Sequence, residues 1–587
     1  MIRESKGRLL IVLAVGLPFV FWGLGSVSLL DPDEGLYGSI AREMTEKGDW
    51  ITPHFNGLRY LEKPPLYFWL TALTFTLFGG PSEWAARLWS AVPTLGTALL
   101  TWRIGGLLYG GLAGALSAVV LVTNAAVFRY TRVAATDCLL VFSLALSLYG
   151  FVRTMLDQRS DAKPIHLGPF LFYLGMALGV LSKGLIGVVF PLFIAALYLW
   201  FSGEKITIRQ MHLKWGVPFF LALILPWHLL AGWRNPGFFQ FYVVDNQLLR
   251  FFSSRAFTED DVPVTTFAFL ALTFVWFFPW SLFLSATLRQ GFPDRHSVSL
   301  PQEKLRLLVG LWALAVMGFF SLSSSTLEHY MLPALPPLSL MVGALWAEAV
   351  SAPRPLPSLK WLLAASVVGC GLVGVALILW ADRLTSNEVF SWLAEMNVYY
   401  RILKDQGVVF PFLSVSPFVP LAKGLGSVLA IGLPLALALF LVRQPLASFV
   451  AVTGVAAGVA FMVLKLLVVI EPHHSAKSVA LALTARSQQD ELIVHEGSLE
   501  YSGSLPFYTG RQIHVLNGRR GDLDFGSRYP EGQGLFLDDK DFARLWEGGK
   551  RVFLITRQES VLRKLSGQPL FFLGQSGSRS LYSNHGP

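Results

Sequence analysis

Apolar stretches of about 20 residues recur from the N-terminus of this chain to roughly residue 470. As helices, such stretches are long enough to cross the roughly 30 Å hydrocarbon core of a bilayer. We therefore predict a polytopic α-helical membrane protein with about thirteen transmembrane helices. The predicted spans lie near 9–30, 84–107, 111–128, 134–153, 168–182, 184–201, 213–232, 264–288, 306–323, 331–350, 360–381, 424–442 and 447–469.

The segment between the first two predicted spans, residues 31–83, is called loop 1 below. Within it, apolar residues recur at every fourth position of 33–47, which predicts an amphipathic helix. The segment 65–79 is apolar but short, and it follows Lys63-Pro64-Pro65. We expect it to form a helix lying in or near the membrane interface and not a span.

The pattern changes after residue 470, where strand-like and helix-like segments alternate. This alternation predicts a small α/β domain on the membrane surface. No glycine-rich phosphate-binding fingerprint opens any of its helices, so nucleotide binding has no support there. We predict two domains, a transmembrane domain at 1–470 and a soluble C-terminal domain at 471–587. The predicted C-terminal elements are helices at 476–488, 540–548 and 558–566, and strands at 491–495, 513–516, 552–556, 569–573 and 579–583.

Composition agrees with a membrane protein. Of the 587 residues, 53% are hydrophobic and only 14% are charged, and the mean hydropathy is +0.53. The net charge of +9 does not require a nucleic-acid partner, because basic residues of membrane proteins collect at cytoplasmic loops and near anionic headgroups. Cys138 and Cys370 both lie in apolar stretches, so a disulfide framework is not expected.

Basic residues also predict the orientation. Arg3, Lys6 and Arg8 precede the first predicted span, which favours a cytoplasmic N-terminus. The first apolar stretch is too long for the core of a typical cleavable signal, so we interpret it as a retained span. With about thirteen spans, loop 1 and the C-terminal domain then lie on the outer side of the membrane.

The acidic run Asp31-Pro32-Asp33-Glu34 directly follows the first predicted span. Carboxylates at a membrane exit are costly to desolvate unless they cap a helix, bind a cation or take part in chemistry. Asp33 precedes a helical pattern, and Asp is a favoured N-cap. A cap explains one acid but not three, so a functional acid is an equal alternative. Tyr37 lies four residues further on and would project from the same face of that helix.

Glu62-Lys63 is a second polar pair in loop 1. Such a pair is usually a solvated surface feature. Between interfacial segments, however, a lysine can hold a lipid phosphate and a carboxylate can bind a metal ion.

Single polar residues recur at the same predicted side of other spans. Each alone is typical of a snorkelling or capping side chain, but together they predict a shared cavity. The three cations Lys63, Lys183 and Arg250 favour an anionic ligand such as a phosphate. The residues in question are Asp137, Lys183, Arg250 and Tyr330.

Three motifs in loop 1 resemble the first external loop of the bacterial aminoarabinose (lipid A) transferases, which are relatives of the protein mannosyltransferases and have the GT-C membrane fold. The resemblance extends through Thr136-Asp137, Ser182-Lys183-Gly184 and Leu332-Pro333. The motifs are Asp33-Glu34-x-x-Tyr37, Gly48-Asp49-Trp50-Ile51-x-Pro53 and Leu58-Arg59-Tyr60-x-Glu62-Lys63-Pro64-Pro65-x-Tyr67-x-Trp69.

The resemblance implies a bacterial inner-membrane glycosyltransferase that moves a sugar from an undecaprenyl phosphate donor to an envelope acceptor such as lipid A, acting as a monomer. It implies that Asp33 is the catalytic carboxylate. A divalent cation is left as a possibility, with Glu62 as its ligand. The residues implied in substrate binding are Glu34, Tyr37, Tyr60, Lys63, Asp137, Lys183, Arg250 and Tyr330.

The chain departs from the aminoarabinose transferases at two places. Those enzymes tend to carry Lys-Leu-Pro ahead of the tyrosine that matches Tyr330, where this chain has Glu328-His329. A histidine expected near Arg250 is also missing, and Asp245-Asn246 occupies the region. Transfer of mannose or another hexose to protein or another glycan is therefore an alternative. A lipid transporter is a second alternative, but we find no internal repeat, and the charges gather at one membrane face instead of the midplane.

Overall fold

The computed structural model describes residues 2–157, 166–205, 210–249, 265–293, 301–323, 326–405, 407, 414–519, 521 and 523–586. The protein is a multi-pass helical bundle followed by a small α/β domain. The helices of the bundle and of loop 1 are α1 Ile2–Phe21, α2 Asp33–Lys47, α3 Leu66–Leu77, α4 Glu83–Leu108, α5 Gly111–Thr123, α6 Ala125–Tyr130, α7 Asp137–Asp157, α8 Leu167–Lys183, α9 Ile186–Ser202, α10 Leu213–Arg234, α11 Thr266–Trp276, α12 Leu288–Gly291, α13 Pro301–Ser321, α14 Leu335–Ser351, α15 Pro357–Trp380, α16 Ser386–Met396, α17 Val398–Asp405, α18 Phe418–Leu441 and α19 Pro445–His474.

Short π-helical and 3₁₀ segments interrupt the α-helices of the bundle. They are the π-helix Gln240–Leu249 and the 3₁₀ segments Trp280–Thr287, Glu328–Ala334 and Ala381–Arg383. Among the described residues, seven helices are long and apolar enough to cross a membrane, and an eighth candidate is a helix pair bent by 110°. Helical membrane architecture is thus confirmed, whereas the predicted count of about thirteen is not.

Polar caps and glycine turns account for several shorter helices. The predicted span 111–128 divides at Asn124, whose side-chain oxygen accepts a hydrogen bond of 2.9 Å from Val127 N and caps α6. Two neighbouring predicted spans form as α8 and α9, each with 17 residues. Between them Gly184 adopts a positive φ of 81° that favours glycine.

The first predicted span is correct only in part. Helix α1 ends at Phe21, and residues 22–30 form turns and extended chain. The buried Arg87 of α4 stabilises this stretch by donating hydrogen bonds to the carbonyl oxygens of Leu24, Val27 and Ser28, at 2.6–2.8 Å. Non-helical backbone at membrane depth requires such internal partners.

Loop 1 closely follows its predicted pattern. Helix α2 spans the predicted 33–47 and ends at Gly48, which has φ 68°. The strands β1 His54–Phe55 and β2 Leu58–Arg59 form an antiparallel hairpin. The predicted interfacial segment forms the apolar helix α3.

The C-terminal domain has a six-stranded mixed sheet with the order β5-β4-β3-β6-β8-β7. Strands β3 to β6 run parallel, and β7 and β8 are antiparallel additions. The predicted α/β architecture is therefore observed. Its strands are β3 Leu492–Glu496, β4 His514–Leu516, β5 Phe536–Leu537, β6 Val552–Thr556, β7 Phe571–Ser576 and β8 Arg579–Ser583, and its helices are α20 Lys477–Thr484, α21 Ser504–Thr509, α22 Leu523–Gly526, α23 Asp539–Glu547 and α24 Glu559–Lys564.

Loop 1 and the C-terminal domain share one hydrophobic core. Buried side chains of loop 1, such as Ile40 and Phe55, belong to the same cluster as Ile513, Val515 and Phe553 of the sheet. Phe55 and Ile513 are far apart in the chain, yet both belong to this cluster. Residues on both sides of the predicted boundary at 470/471 thus contribute to one core, and the division into two domains stays a prediction.

Candidate active site

A cavity of about 370 Å³ lies where loop 1 meets the ends of α7 and α8 and the 3₁₀ turn at 328–334. Five of the predicted site residues line it, which are Glu62, Lys63, Asp137, Lys183 and Tyr330. The remaining lining is mainly apolar and consists of Leu140, Leu185, Ile186, Val189, Phe190, Phe319, Phe320 and Pro333, with Asn246, Gln247 and Ser323. The cavity thus has cations and acids beside a hydrophobic wall.

Lys183 and Asp137 form an ion pair in this cavity. Helix α8 ends at Lys183 and α7 begins at Asp137, so the ends of two adjacent helices bring the side chains together. Lys183 Nζ lies 2.5 Å from Asp137 Oδ1 and 5.1 Å from the ring centre of Tyr330. His329 Nε2 lies 3.9 Å from the same carboxylate oxygen. His329, which departs from the family pattern, therefore lies beside Asp137, which matches it.

Glu62 and Lys63 form a second ion pair at the edge of loop 1. Glu62 is 4% exposed, and its other carboxylate oxygen accepts a hydrogen bond of 2.6 Å from the Tyr60 hydroxyl. Both oxygens of Glu62 are thus engaged by protein donors. In the part of the chain that the structure describes, no group of three or more His, Cys, Asp or Glu side chains is arranged to hold a metal ion. A divalent cation at Glu62 stays a prediction.

Tyr37 and Tyr60 lie behind the cavity lining. Both are buried, and their rings pack edge-on against Phe68 of α3, with centroid distances of 5.6 Å and 6.2 Å. This aromatic cluster joins α2 to the Glu62–Lys63 segment. Its geometry supports a role in shaping the wall.

Asp33 is the first residue of α2, and Pro32 occupies the N-cap position. Of the two interpretations of Asp33, the N-cap is therefore not the one observed. Asp33 is partly exposed and stands outside the cavity lining. Removal from water raises the pKa of the Tyr130 phenol, and the charges of Glu328, Asp137 and Asp33 raise it further.

Glu34 lies in a buried ion pair and not along the cavity. Its carboxylate accepts hydrogen bonds of 2.8 and 2.9 Å from Arg87 and of 2.9 and 2.7 Å from Leu30 N and Ala134 N. Glu34 and Arg87 side chains are 3% and 2% exposed. These contacts favour a structural role, whereas the sequence predicts substrate binding. The sequence offered one indication of the importance of Arg87, because it is a charged residue inside the predicted span 84–107.

Arg250 lies outside the described residues. The π-helix that precedes it instead contributes Asn246 and Gln247, which sequence reasoning did not select. Asn246 is 7% exposed, and neither its amide nitrogen nor its amide oxygen has a hydrogen-bond partner among the described residues. Such an unsatisfied buried amide is costly without a ligand or water.

Comparisons with known proteins agree with the sequence resemblance. Residues 28–242 match the family model of dolichyl-phosphate-mannose-protein mannosyltransferase. The undecaprenyl phosphate-alpha-4-amino-4-deoxy-L-arabinose arabinosyl transferase of Serratia proteamaculans is 28% identical over 384 residues, which cover 63% of this chain and 67% of that protein. The protein of the same name from Pseudomonas aeruginosa strain LESB58 is 30% identical over 338 residues, 57% of this chain and 58% of that protein.

The fold is shared over the whole length. The crystal structure of ArnT from Cupriavidus metallidurans bound to undecaprenyl phosphate matches with a TM-score of 0.81, over 99% of both chains and at 24% identity. The sequence matches cover 67% and 58% of the Serratia and Pseudomonas proteins. The resemblance predicted from loop 1 is confirmed: this chain is similar in sequence to the aminoarabinose transferases and, over residues 28–242, to the protein mannosyltransferases, and it shares the fold of the solved ArnT structure.

Proposed function

We propose that this protein is a membrane glycosyltransferase that moves a sugar from an undecaprenyl phosphate carrier to lipid A or a related envelope acceptor. The sugar that the similarity favours is 4-amino-4-deoxy-L-arabinose or a related sugar. The observation that carries the proposal is the cavity itself, which combines two lysines with a wall of leucine, isoleucine, valine and phenylalanine side chains. A phosphate on a polyprenyl chain needs this combination, since its head is anionic and its tail is apolar.

Lys63 and Lys183 are the groups proposed to hold the donor phosphate. When the sugar leaves, the bond between its anomeric carbon and the phosphate oxygen breaks, and the phosphate takes the electron pair. Cations in a low-dielectric cavity stabilise this developing charge. Tyr330 lies against Lys183 and contacts Phe320 at 4.8 Å between centroids, so it joins the cationic region to the apolar wall.

Asp33 is the proposed catalytic carboxylate. If the acceptor is a hydroxyl, its oxygen attacks the anomeric carbon and its proton passes to Asp33. If the acceptor is a phosphate, little deprotonation is needed, and Asp33 instead positions the acceptor or stabilises the positive charge that develops on the sugar.

We further propose that the protein lies in the bacterial inner membrane as a monomer with a cytoplasmic N-terminus. The basic N-terminal residues support this orientation. Loop 1 and the C-terminal domain would then lie in the periplasm. The contacts between them support a common side of the membrane, because they share a hydrophobic core.

The decisive experiment is transfer by purified protein in detergent or nanodiscs. Undecaprenyl phosphate carrying aminoarabinose and a lipid A acceptor would be supplied, and the product lipid A would be identified by mass spectrometry. Addition of one pentosamine residue is the expected result. Mass spectrometry of envelope glycolipids and glycans from a strain that lacks the protein provides the matching test in cells.

A hexose-transferring enzyme is the second candidate, because residues 28–242 match the mannosyltransferase family model. Undecaprenyl phosphate mannose with lipid A and with a protein acceptor would therefore be tested in parallel. A transporter would move lipid without forming a glycosidic bond, so the absence of product with every donor, together with lipid movement across vesicles, would replace the proposal.

A further inference from the structure

The C-terminal sheet reverses its direction of growth between β3 and β6. From β3 the chain proceeds to β4 and β5 on one side, and it then returns to place β6 on the other side of β3. In open parallel sheets, ligands bind outside the carboxyl ends of the strands at such a reversal point. In this protein a carboxylate from another segment of the chain occupies this position.

The occupant is Asp31 of loop 1. Its carboxylate accepts hydrogen bonds from Ser504 N at 2.7 Å, Ser504 Oγ at 3.0 Å and Arg579 Nη2 at 2.6 Å. Arg579 begins β8, next to Ser580, which pairs with the last residue of β6, Thr556. The backbone N–H of Asp31 in turn donates a hydrogen bond of 2.7 Å to the His474 carbonyl oxygen.

Arg579 is itself fixed by the residues around the carboxyl end of β3. It is 0% exposed, and it donates to Ser502 Oγ at 3.0 Å and to the carbonyl oxygens of His473, Tyr501 and Ser475 at 2.9–3.3 Å. The guanidinium therefore has a defined orientation before it meets Asp31. A rigid donor fork that presents itself to one carboxylate is typical of a site built for positional accuracy.

The backbones of α2 and the C-terminal domain also approach each other closely. A Cβ at Gly35 would lie 2.0 Å from Ser504 N, and a Cβ at Gly503 would lie 2.7 Å from Leu36 N. Ser39 Oγ adds a hydrogen bond of 2.9 Å to the Gly503 carbonyl oxygen. Only glycine permits this packing, so α2 is held against the C-terminal domain along its first two turns.

We propose that the C-terminal domain is the element that positions the reactive end of α2, and that Arg579 and Ser504 do so by binding Asp31 as the domain's own ligand. This assignment rests on the proposed function of Asp33, which lies two residues after Asp31. Arg579, Ser504 and Asp31 are positioning residues, because they act on the sugar site through α2. The function of the domain is thus to hold the acid of another segment, at the place where open parallel sheets bind ligands.

The balance of desolvation and attraction in the Asp31–Arg579 pair favours a role in fixing geometry over a role in stability. Burial raises the pKa of Asp31 to about 6, although the Arg579 charge and the Ser504 hydrogen bonds oppose this rise. Desolvation therefore outweighs the attraction of the pair. A buried ion pair of this kind adds little net stability and mainly fixes one arrangement.

The test combines hydrogen exchange with kinetics on the full-length protein. The variants are Arg579→Lys, Asp31→Asn, Ser504→Ala and Gly35→Ala, and Gly35→Ala separates the backbones while leaving the ionic groups in place. The matched controls are Arg544→Gln, which breaks the exposed Arg544–Asp541 pair of the same domain, and Gly454→Ala, a helical glycine with nothing within 4 Å of its Cβ position. Amide exchange of residues 33–40 is compared with that of β3 and β6 by mass spectrometry.

The expected result is that exchange in 33–40 rises about tenfold or more in the four variants while β3 and β6 keep their protection. The kcat for sugar transfer falls at least about tenfold, and the KM for donor is unchanged. Unchanged exchange at 33–40, or loss of protection in α2 and the sheet together, would overturn the proposal, since the residues would then be dispensable or merely stabilising. The exchange measurement requires no turnover, so it distinguishes failure of this inference from failure of the proposed enzymatic function.

Discussion

Lys183 Nζ lies 2.5 Å from Asp137 Oδ1, although the two residues belong to different helices and are 46 positions apart. Their side chains are 17% and 14% exposed, so the pair is largely removed from water. Glu62 and Lys63 form a second ion pair that also lines the cavity. Each lysine therefore already has an acidic neighbour, and an incoming phosphate competes with that neighbour for the ammonium group.

This competition predicts opposite effects for the two members of the pair. Lys183→Met removes a phosphate-binding cation, so undecaprenyl phosphate should bind at least about tenfold more weakly, which corresponds to about 1.4 kcal/mol. Asp137→Asn removes the competing charge and frees Lys183, so the same lipid should bind more tightly, by up to about tenfold. Binding is measured by titration of the purified protein with undecaprenyl phosphate.

The control for this prediction is Lys423→Met. Lys423 forms an exposed ion pair with Asp382, with a distance of 2.7 Å and side-chain exposures of 43% and 67%. It should leave lipid affinity unchanged. Equal weakening by Lys183→Met and Asp137→Asn would mean that the pair supports the fold of the cavity and does not bind phosphate directly.

The catalytic role of Asp33 predicts a loss of turnover without a loss of binding. Asp33→Asn preserves shape and removes the base, so sugar transfer should fall by about 10²- to 10⁴-fold. Undecaprenyl phosphate affinity and the thermal unfolding midpoint should match the wild type. The comparison variant is Asp541→Asn, a half-exposed carboxylate of the C-terminal domain, and transfer by Asp33→Asn at the wild-type rate would remove Asp33 from the mechanism.

Substitution of Glu34 tests whether its carboxylate is structural or binds substrate. Its carboxylate is enclosed with Arg87, so Glu34→Gln leaves a buried guanidinium with weaker partners. Removal of one member of a buried ion pair typically costs about 3–5 kcal/mol. We expect a lower thermal unfolding midpoint and unchanged donor KM in the fraction that folds. A stable variant with weakened donor binding would instead support the substrate-binding role predicted from the sequence.

Local patterns predicted those parts of the molecule that local forces determine. The apolar positions of 33–47, followed by Gly48, specify α2, because helix periodicity and a glycine C-cap act within a few residues. Strand β6 agrees with its predicted range because β-branched and aromatic residues dominate 552–556. The charged residues of the cavity were predictable because a charge at a membrane boundary has few uses.

Long-range pairing was not predictable from these patterns. Asp31 and Arg579 are 548 residues apart, and neither has a local signature of its partner. Arg87 satisfies carbonyl groups about 60 residues earlier in the chain, and nothing in periodicity indicates that residues 22–30 leave the helix. Such contacts depend on the tertiary arrangement, which a pattern of period 3.6 or 2 does not contain.

His495 predicts a pH dependence of stability. It lies at the end of β3 with its Nε2 3.0 Å from Ser502 Oγ and its Nδ1 3.3 Å from the Gly497 carbonyl oxygen. Burial, together with the charges of Arg557 and Arg579, lowers the pKa of His495 to about 3. The folded state thus holds a neutral imidazole, whereas the unfolded chain takes up a proton below about pH 6.5.

The direction of the pH dependence of stability follows from this difference in proton uptake between the folded and unfolded states. The contribution of His495 to stability is complete above about pH 6.5 and is lost as the pH falls towards 3. Asp31 titrates with the opposite sign between its usual pKa of 3.8 and about 6, so the contribution of His495 is measured as a difference between variants. His495→Gln keeps a polar group beside Ser502 but does not titrate. Its thermal unfolding midpoint should therefore fall less steeply than that of the wild type between pH 6.5 and 4, and parallel curves would show that His495 is not the group responsible.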